Sequence, residues 1–132
     1  MTIELTFLAW TLVLALVQIF ATATVRTKQY GSKWNAGARD EEVPPPTPLV
    51  GRLQRAQSNL FETLPLFAAA VLIAHMAGRE NALTSIGAQT FFWGRVIYLP
   101  LYAAGVPYVR SLIWLISLVG LLMIIWAVLA PA

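Results

Sequence analysis

Residues 111–132, SLIWLISLVGLLMIIWAVLAPA, carry no charged side chain. Twenty apolar residues wound as a helix cover about 30 Å, the thickness of a bilayer's hydrocarbon core. Residues 5–25, LTFLAWTLVLALVQIFATATV, form a second charge-free stretch of similar length. The whole chain of 132 residues is 58% hydrophobic and 11% charged, with a mean hydropathy of +0.69. A soluble domain carries about 25% charged residues, more than twice that share. Nine of the fifteen charged residues fall between Arg26 and Arg55, leaving six for the rest. This pattern excludes a water-soluble globule and a disordered chain, and the lack of cysteine excludes a disulfide scaffold. What remains is a membrane protein. Its backbone groups must be satisfied within each spanning segment, which points to helices.

The pattern predicts an all-helical, four-helix transmembrane bundle in a single integral membrane domain, with spans at about 3–25, 56–77, 82–102 and 110–129. Glu4 stands where a secretory signal would carry a basic region, so the first span is read as retained. Residues 26–48 read as a polar loop running through Asp40-Glu41-Glu42 into Pro44-Pro45-Pro46-Thr47-Pro48. Thr47 and Pro48 have the character of an N-cap and a first helical residue, so the second helix should begin before its span and continue to Ala77, kinked at Pro65. Seven Lys and Arg side chains (Arg26, Lys28, Lys33, Arg39, Arg52, Arg55 and Arg110) lie on one side of the bundle, and only Arg79 on the other. The positive-inside bias places the long loop between helices one and two in the cytoplasm and both termini outside.

Ionisable groups inside a span cost about 2.5–3.5 kcal/mol each on insertion scales, so those present need a reason. Arg55, Asn59 and Glu62 are spaced four and three apart and share one helix face; Arg95, Tyr98 and Tyr102 are spaced three and four apart on another. At 1.5 Å per residue, Glu62 lies about 10 Å inward from Arg55, and Arg95 about 10 Å inward from Tyr102. The two stripes therefore share a depth, and Glu62 is expected to pair with Arg95. A cavity lined by arginines, an acid, an amide and two phenols suits an anionic ligand that also carries an amine.

These residues resemble the MAPEG family, the membrane-associated proteins in eicosanoid and glutathione metabolism. Arg55-Ala56-Gln57-Ser58-Asn59-Leu60-Phe61-Glu62 is similar to the family's R-x-x-x-N-x-x-E pattern, and Arg95-x-x-Tyr98-x-x-x-Tyr102 to a second family motif. The proline-rich approach and Thr63-Leu64-Pro65-Leu66-Phe67 look like bacterial members. The resemblance implies a homotrimer in a bacterial inner membrane, with glutathione as co-substrate between subunits near the cytoplasmic side. By that analogy Arg26, Arg55, Asn59 and Glu62 bind the peptide, with Arg95, Tyr98 and Tyr102 contributed across the interface. Arg110 is the implied catalytic residue, stabilising the thiolate. The implied chemistry is that of a glutathione transferase or peroxidase acting on a lipophilic second substrate that arrives through the bilayer.

Two other functional readings fit the composition. One is a small transporter with Glu62 as its coupling carboxylate, although the surrounding arginines would repel a cationic drug. The other is a glutathione- or lipid-binding membrane protein without catalysis. A nucleic-acid partner is not expected despite the net charge of +3, because the basic residues sit in a membrane-flanking loop rather than on a soluble face. No metal site is expected either, since His75 is the sole histidine and cysteine is absent.

Overall fold

The computed structural model describes residues 1–131. They fold into five helices: α1 (Ile3–Tyr30), α2 (Ser32–Ala36), α3 (Pro48–Met76), α4 (Ala82–Ala103) and α5 (Val109–Leu129). Among the described residues α1, α3 and α5 are long and apolar enough to cross a membrane. The fourth long helix, α4, has 22 residues, about 33 Å at 1.5 Å per residue, but Gln89, Thr90 and Arg95 dilute its apolarity.

Local chemistry sets the boundaries. Thr2 accepts the Leu5 N–H at 3.3 Å and opens α1. Thr47 accepts the Val50 N–H at 3.4 Å and opens α3, with Pro48 at the first helical position, where a missing N–H costs nothing. Asn81 and Thr84 open α4 with a reciprocal capping pair, at 3.1 and 2.8 Å. Both α3 and α4 continue unbroken through Pro65 and Pro100.

The loop expected from residue 26 begins later. Residues 26–30 contain no helix breaker, so α1 runs on to Tyr30, and Gly31 ends it with a φ of +91°. After the short α2, the proline segment is strapped back onto α1. The Tyr30 hydroxyl donates to the Pro44 carbonyl at 2.8 Å and Gln29 Nε2 donates to that of Pro45 at 2.9 Å, while the Thr47 N–H donates to Gln29 Oε1 at 2.9 Å. The strap seats the start of α3 beside the basic end of α1.

The long helices pack side by side around Leu60, Phe67, Val71, Phe91, Leu121 and Ile124, all at most 2% exposed. Phe67 and Phe91 stack at 4.1 Å. Large apolar side chains also cover the outside, including Leu16, Phe20, Leu66, Ile73, Leu115 and Leu122, each more than 45% exposed. Several polar residues point inward instead: Thr11, Gln18, Thr22, Arg95 and Ser117 are buried. Apolar outside and polar inside is the arrangement a lipid environment selects.

The most extensive pairing is α4 against α5. Its cause is a set of small residues. A Cβ on Gly120 would lie 2.5 Å from the Gly87 carbonyl oxygen, and one on Gly94 would lie 2.8 Å from Ser117 Cβ. Only glycine allows these backbones so close. At the end opposite the basic one, Glu80 closes the bundle. It accepts from the Thr2 hydroxyl at 2.7 Å and meets His75 Nδ1 at 3.0 Å. Burial pushes the Glu80 carboxyl upward, but the hydrogen bonds from Thr2 and His75 outweigh it and hold the group below the ordinary 4.5. Arg79 Nη1 donates to the Ala130 carbonyl at 2.6 Å, tying the end of α5 to the same turn.

Candidate functional site

Three helices bring cations and phenols together at the basic end. Arg52, Arg55 and Asn59 lie along α3, Arg95, Tyr98 and Tyr102 along α4, and Arg110 in the first turn of α5. Arg55 Nε donates to the Tyr102 hydroxyl at 3.0 Å, and Arg52 Nη1 to the Ala103 carbonyl at 3.4 Å. Deeper in the bundle, Arg95 Nη1 donates to Asn59 Oδ1 at 2.7 Å.

The rings link these contacts into a ladder. The Arg95 guanidinium carbon lies 4.4 Å from the Tyr98 ring centroid, and Tyr98 meets Tyr102 edge-on at 5.4 Å. Tyr102 in turn carries Arg110 at 4.6 Å and Arg55 at 5.8 Å. Aromatic faces hold cations through their quadrupole without cancelling their charge. Among the described residues no carboxylate pairs with any arginine of this group, and the one ion pair joins His75 to Glu80 at the far end. The four arginines (Arg52, Arg55, Arg95 and Arg110) are therefore preorganised yet not neutralised.

Two small cavities flank the ladder, and Arg110 borders both. One of about 240 Å³ is lined by Asn59, Tyr98, Arg110, Ser111 and Trp114. The other, about 220 Å³, lies among Arg52, Arg55, Tyr102, Gly105, Pro107 and Arg110. Gly105 matters to the second: its φ is +73°, and a Cβ there would lie 2.8 Å from the Arg52 guanidinium carbon. Arg95 itself is 0% exposed, and its Nε and Nη2 have no partner among the described residues.

Six of the eight residues singled out from the sequence meet here: Arg55, Asn59, Arg95, Tyr98, Tyr102 and Arg110. The two polar stripes face each other within the chain, where Tyr102 and Arg95 hydrogen-bond their α3 partners Arg55 and Asn59. Two residues stand apart. Glu62 does not pair with Arg95; it is exposed on the outer surface of α3, and Asn59 takes the guanidinium instead. The reason is angular. Glu62 and Asn59 are three residues apart, so they differ by about 60° around the helix axis at 100° per residue, enough to turn one in and the other out. Arg26 is half-buried on α1, its Nε without a partner among the described residues, and it borders neither cavity. Conversely, Ser111 and Trp114 line the site and were not foreseen. For Trp114 the available signal was its place four residues beyond Arg110, on the same helix face; the spacing of Ser111 gave none.

With the ladder in place, comparison with protein families is decisive. The model of the MAPEG family matches residues 7–130, from the first turns of α1 to the end of α5. The chain belongs to the MAPEG family. No curated protein and no solved structure matches it. In this MAPEG chain the Arg55-to-Glu62 motif occupies the third and fourth turns of α3, and every rung of the ladder lies inside the matched region. Family membership and the apolar helices together make it an integral membrane protein.

Proposed function

We propose that this MAPEG protein binds glutathione at the arginine–tyrosine ladder and activates its thiol for attack on a lipophilic electrophile or hydroperoxide. The observation that carries the reading is the set of cations held on phenol rings with no protein carboxylate to neutralise them. A tripeptide with two carboxylates supplies the missing negative charge, and guanidinium forks grip carboxylates in bidentate fashion. Asn59 keeps an amide group beside the peptide's own amides. Arg110 touches both cavities, which makes it the candidate partner of the sulfur.

The chemistry needs little more. A thiol of pKa about 8.5 is mostly protonated at neutral pH. Lowering that value by two units takes about 2.7 kcal/mol of preferential interaction with the anion, within reach of one guanidinium in a partly desolvated cavity. The thiolate then forms a bond to the electrophilic carbon as the leaving group departs with its electron pair. With a hydroperoxide it attacks the terminal oxygen, and the alkoxide departs and takes a proton.

In the same reading α4 is the fourth span, the basic end faces the cytoplasm, and the membrane is a bacterial inner membrane. Glu62 points away from its own subunit and would meet the ligand's ammonium group, or a neighbour, in a homotrimer. That role explains an acid on the outer face of a long apolar helix, where it would otherwise face lipid at considerable cost.

Titration calorimetry of the detergent-purified protein with glutathione, together with the ultraviolet absorbance of the bound thiolate, tests the proposal. Binding with thiolate formation is expected. Arg55→Ala should weaken binding, and Arg110→Ala should depress the thiolate signal more than affinity. Failure of the wild type to bind glutathione would overturn the reading. Turnover of a chlorodinitrobenzene against cumene hydroperoxide separates transferase from peroxidase activity.

A further inference from the structure

A separate cavity of about 520 Å³ lies where α1 leaves the apolar zone, lined by Tyr30, Lys33, Trp34, Arg39, Asp40 and Glu41 among others. It shares no residue with the two cavities at the ladder. Its walls are fixed by contacts of their own. The Tyr30 and Trp34 rings lie 4.6 Å apart, and the Arg39 guanidinium carbon lies 5.0 Å from the Trp34 ring centroid. Arg39 donates from Nη2 to the Asn35 carbonyl and to Asn35 Oδ1, both at 2.9 Å. These bonds hold Arg39 at a φ of +63°, a left-handed conformation that a side chain enters only when its surroundings impose it. On the far side, the Tyr30 hydroxyl pins the proline strap at Pro44.

Two features identify the occupant. The first is depth. Tyr30 lies four residues beyond Arg26, the first charge after the apolar run, or about 6 Å at 1.5 Å per residue. The polar head-group layer on each side of a hydrocarbon core is about 5–8 Å thick, so the cavity opens at head-group level, and Tyr and Trp walls suit that layer. The second is charge. Lys33 and Arg39 are cationic, Asp40 and Glu41 anionic, and among the described residues neither acid has a cationic partner at ion-pair distance. A general attraction of basic loops for anionic lipid gives no reason for two unpaired acids in the cavity wall.

We propose that this cavity binds the head group of a zwitterionic phospholipid, its phosphate toward Lys33 and Arg39 and its ammonium toward Asp40 and Glu41. The site is independent of the glutathione reading, since none of its residues belongs to the ladder.

The test is native mass spectrometry of the full-length protein released from micelles containing equal amounts of phosphatidylethanolamine and phosphatidylglycerol. The seven basic residues of this end would alone retain the anionic glycerol lipid, so the two explanations predict opposite outcomes. Retention of the ethanolamine lipid in about fivefold excess is expected, the factor one well-placed charge contributes at a membrane surface. The double variant Asp40→Asn/Glu41→Gln, altered only at exposed loop positions, should reverse the preference, and Lys33→Gln should lower retention of both lipids. Competition by free phosphoethanolamine would show that the zwitterion alone suffices, whereas retention of the lipid without such competition would show that the acyl chains contribute. Wild-type preference for the glycerol lipid, equal retention of both, or an unchanged preference in the double variant would overturn the proposal.

Discussion

Asn59 supplies the sole protein acceptor found for the fully buried Arg95, at 2.7 Å, while Nε and Nη2 of the same guanidinium go unpartnered among the described residues. Two substitutions of nearly equal size should therefore act in opposite directions. Asn59→Leu removes the acceptor and strands the charge. A hydrogen bond to a charged group contributes about 1.5–3 kcal/mol, and breaking a buried ionic contact on one side costs about 3–5 kcal/mol, so a loss of about 3 kcal/mol is expected. For a chain of this size each kcal/mol moves the midpoint by roughly 4 °C, which places the expected fall in Tm near 12 °C. Asn59→Asp keeps an oxygen at the same place and adds the missing negative charge, so its Tm should equal or exceed that of the wild type. The same charge neutralises one rung of the ladder, and glutathione affinity should drop at least about tenfold, equivalent to about 1.4 kcal/mol. Circular dichroism melts in detergent at neutral pH and low salt give the first quantity, and titration calorimetry gives the second. If the aspartate variant melts as low as the leucine variant, or binds glutathione as tightly as the wild type, then Arg95 is not an under-neutralised cation and the electrostatic account of the site fails.

Four further outcomes follow from other parts of the molecule. Gly120→Ala places a Cβ 2.5 Å from the Gly87 carbonyl and 2.7 Å from the Phe91 nitrogen; backbone cannot give way as a side chain can, so a loss of about 1–3 kcal/mol is expected. Gly78→Ala, at a φ of +68° with nothing within 4 Å, should cost only the left-handed conformation, about 1–2 kcal/mol, and melts of the two variants with and without glutathione separate a helix-packing defect from a turn defect. Glu80 is held below its ordinary 4.5, so its contribution is complete above that pH and is lost as pH falls through the depressed folded value; Tm should decline with acidification below about 4.5 less steeply in Glu80→Gln than in the wild type. Glu62→Gln should leave Tm of the isolated subunit near that of the wild type, because the residue is exposed and has no ion-pair partner among the described residues, yet weaken glutathione binding; an unchanged affinity would remove Glu62 from the site.

Why the sequence revealed the ladder but not that Asn59, rather than Glu62, takes Arg95 is a matter of what periodicity encodes. Spacings of three and four tell which residues share a face of their own helix, and they correctly gathered Arg55 with Asn59 and Arg95 with Tyr98 and Tyr102. They do not tell how far that helix is rotated against its neighbour. At 100° per residue, Glu62 lies about 20° to one side of Arg55 and Asn59 about 40° to the other. A shared stripe therefore spans about 60°, and packing decides which edge turns inward. Here the outer edge holds Arg55 and Glu62, both exposed, and the inner edge holds the half-buried Asn59. Arg55 rejoins the site through its Nε, which reaches the Tyr102 hydroxyl; Glu62, turned about 20° further from the inner edge, does not return to Arg95. The start of α3 was legible for the opposite reason. Thr47 and Pro48 act within one turn of the chain, so no knowledge of a neighbour is needed; the end of α1 was not, since the charges from Arg26 onward mark the edge of the apolar run rather than the end of the helix. The rotation of α4 against α5 is an intermediate case. Gly87, Gly94 and Gly120 announce close approach in the sequence, but that Gly87 meets Gly120 and Gly94 meets Ser117 is a property of two helices at once. That register sets Arg110 over Tyr102 and so brings the third helix's cation to the site.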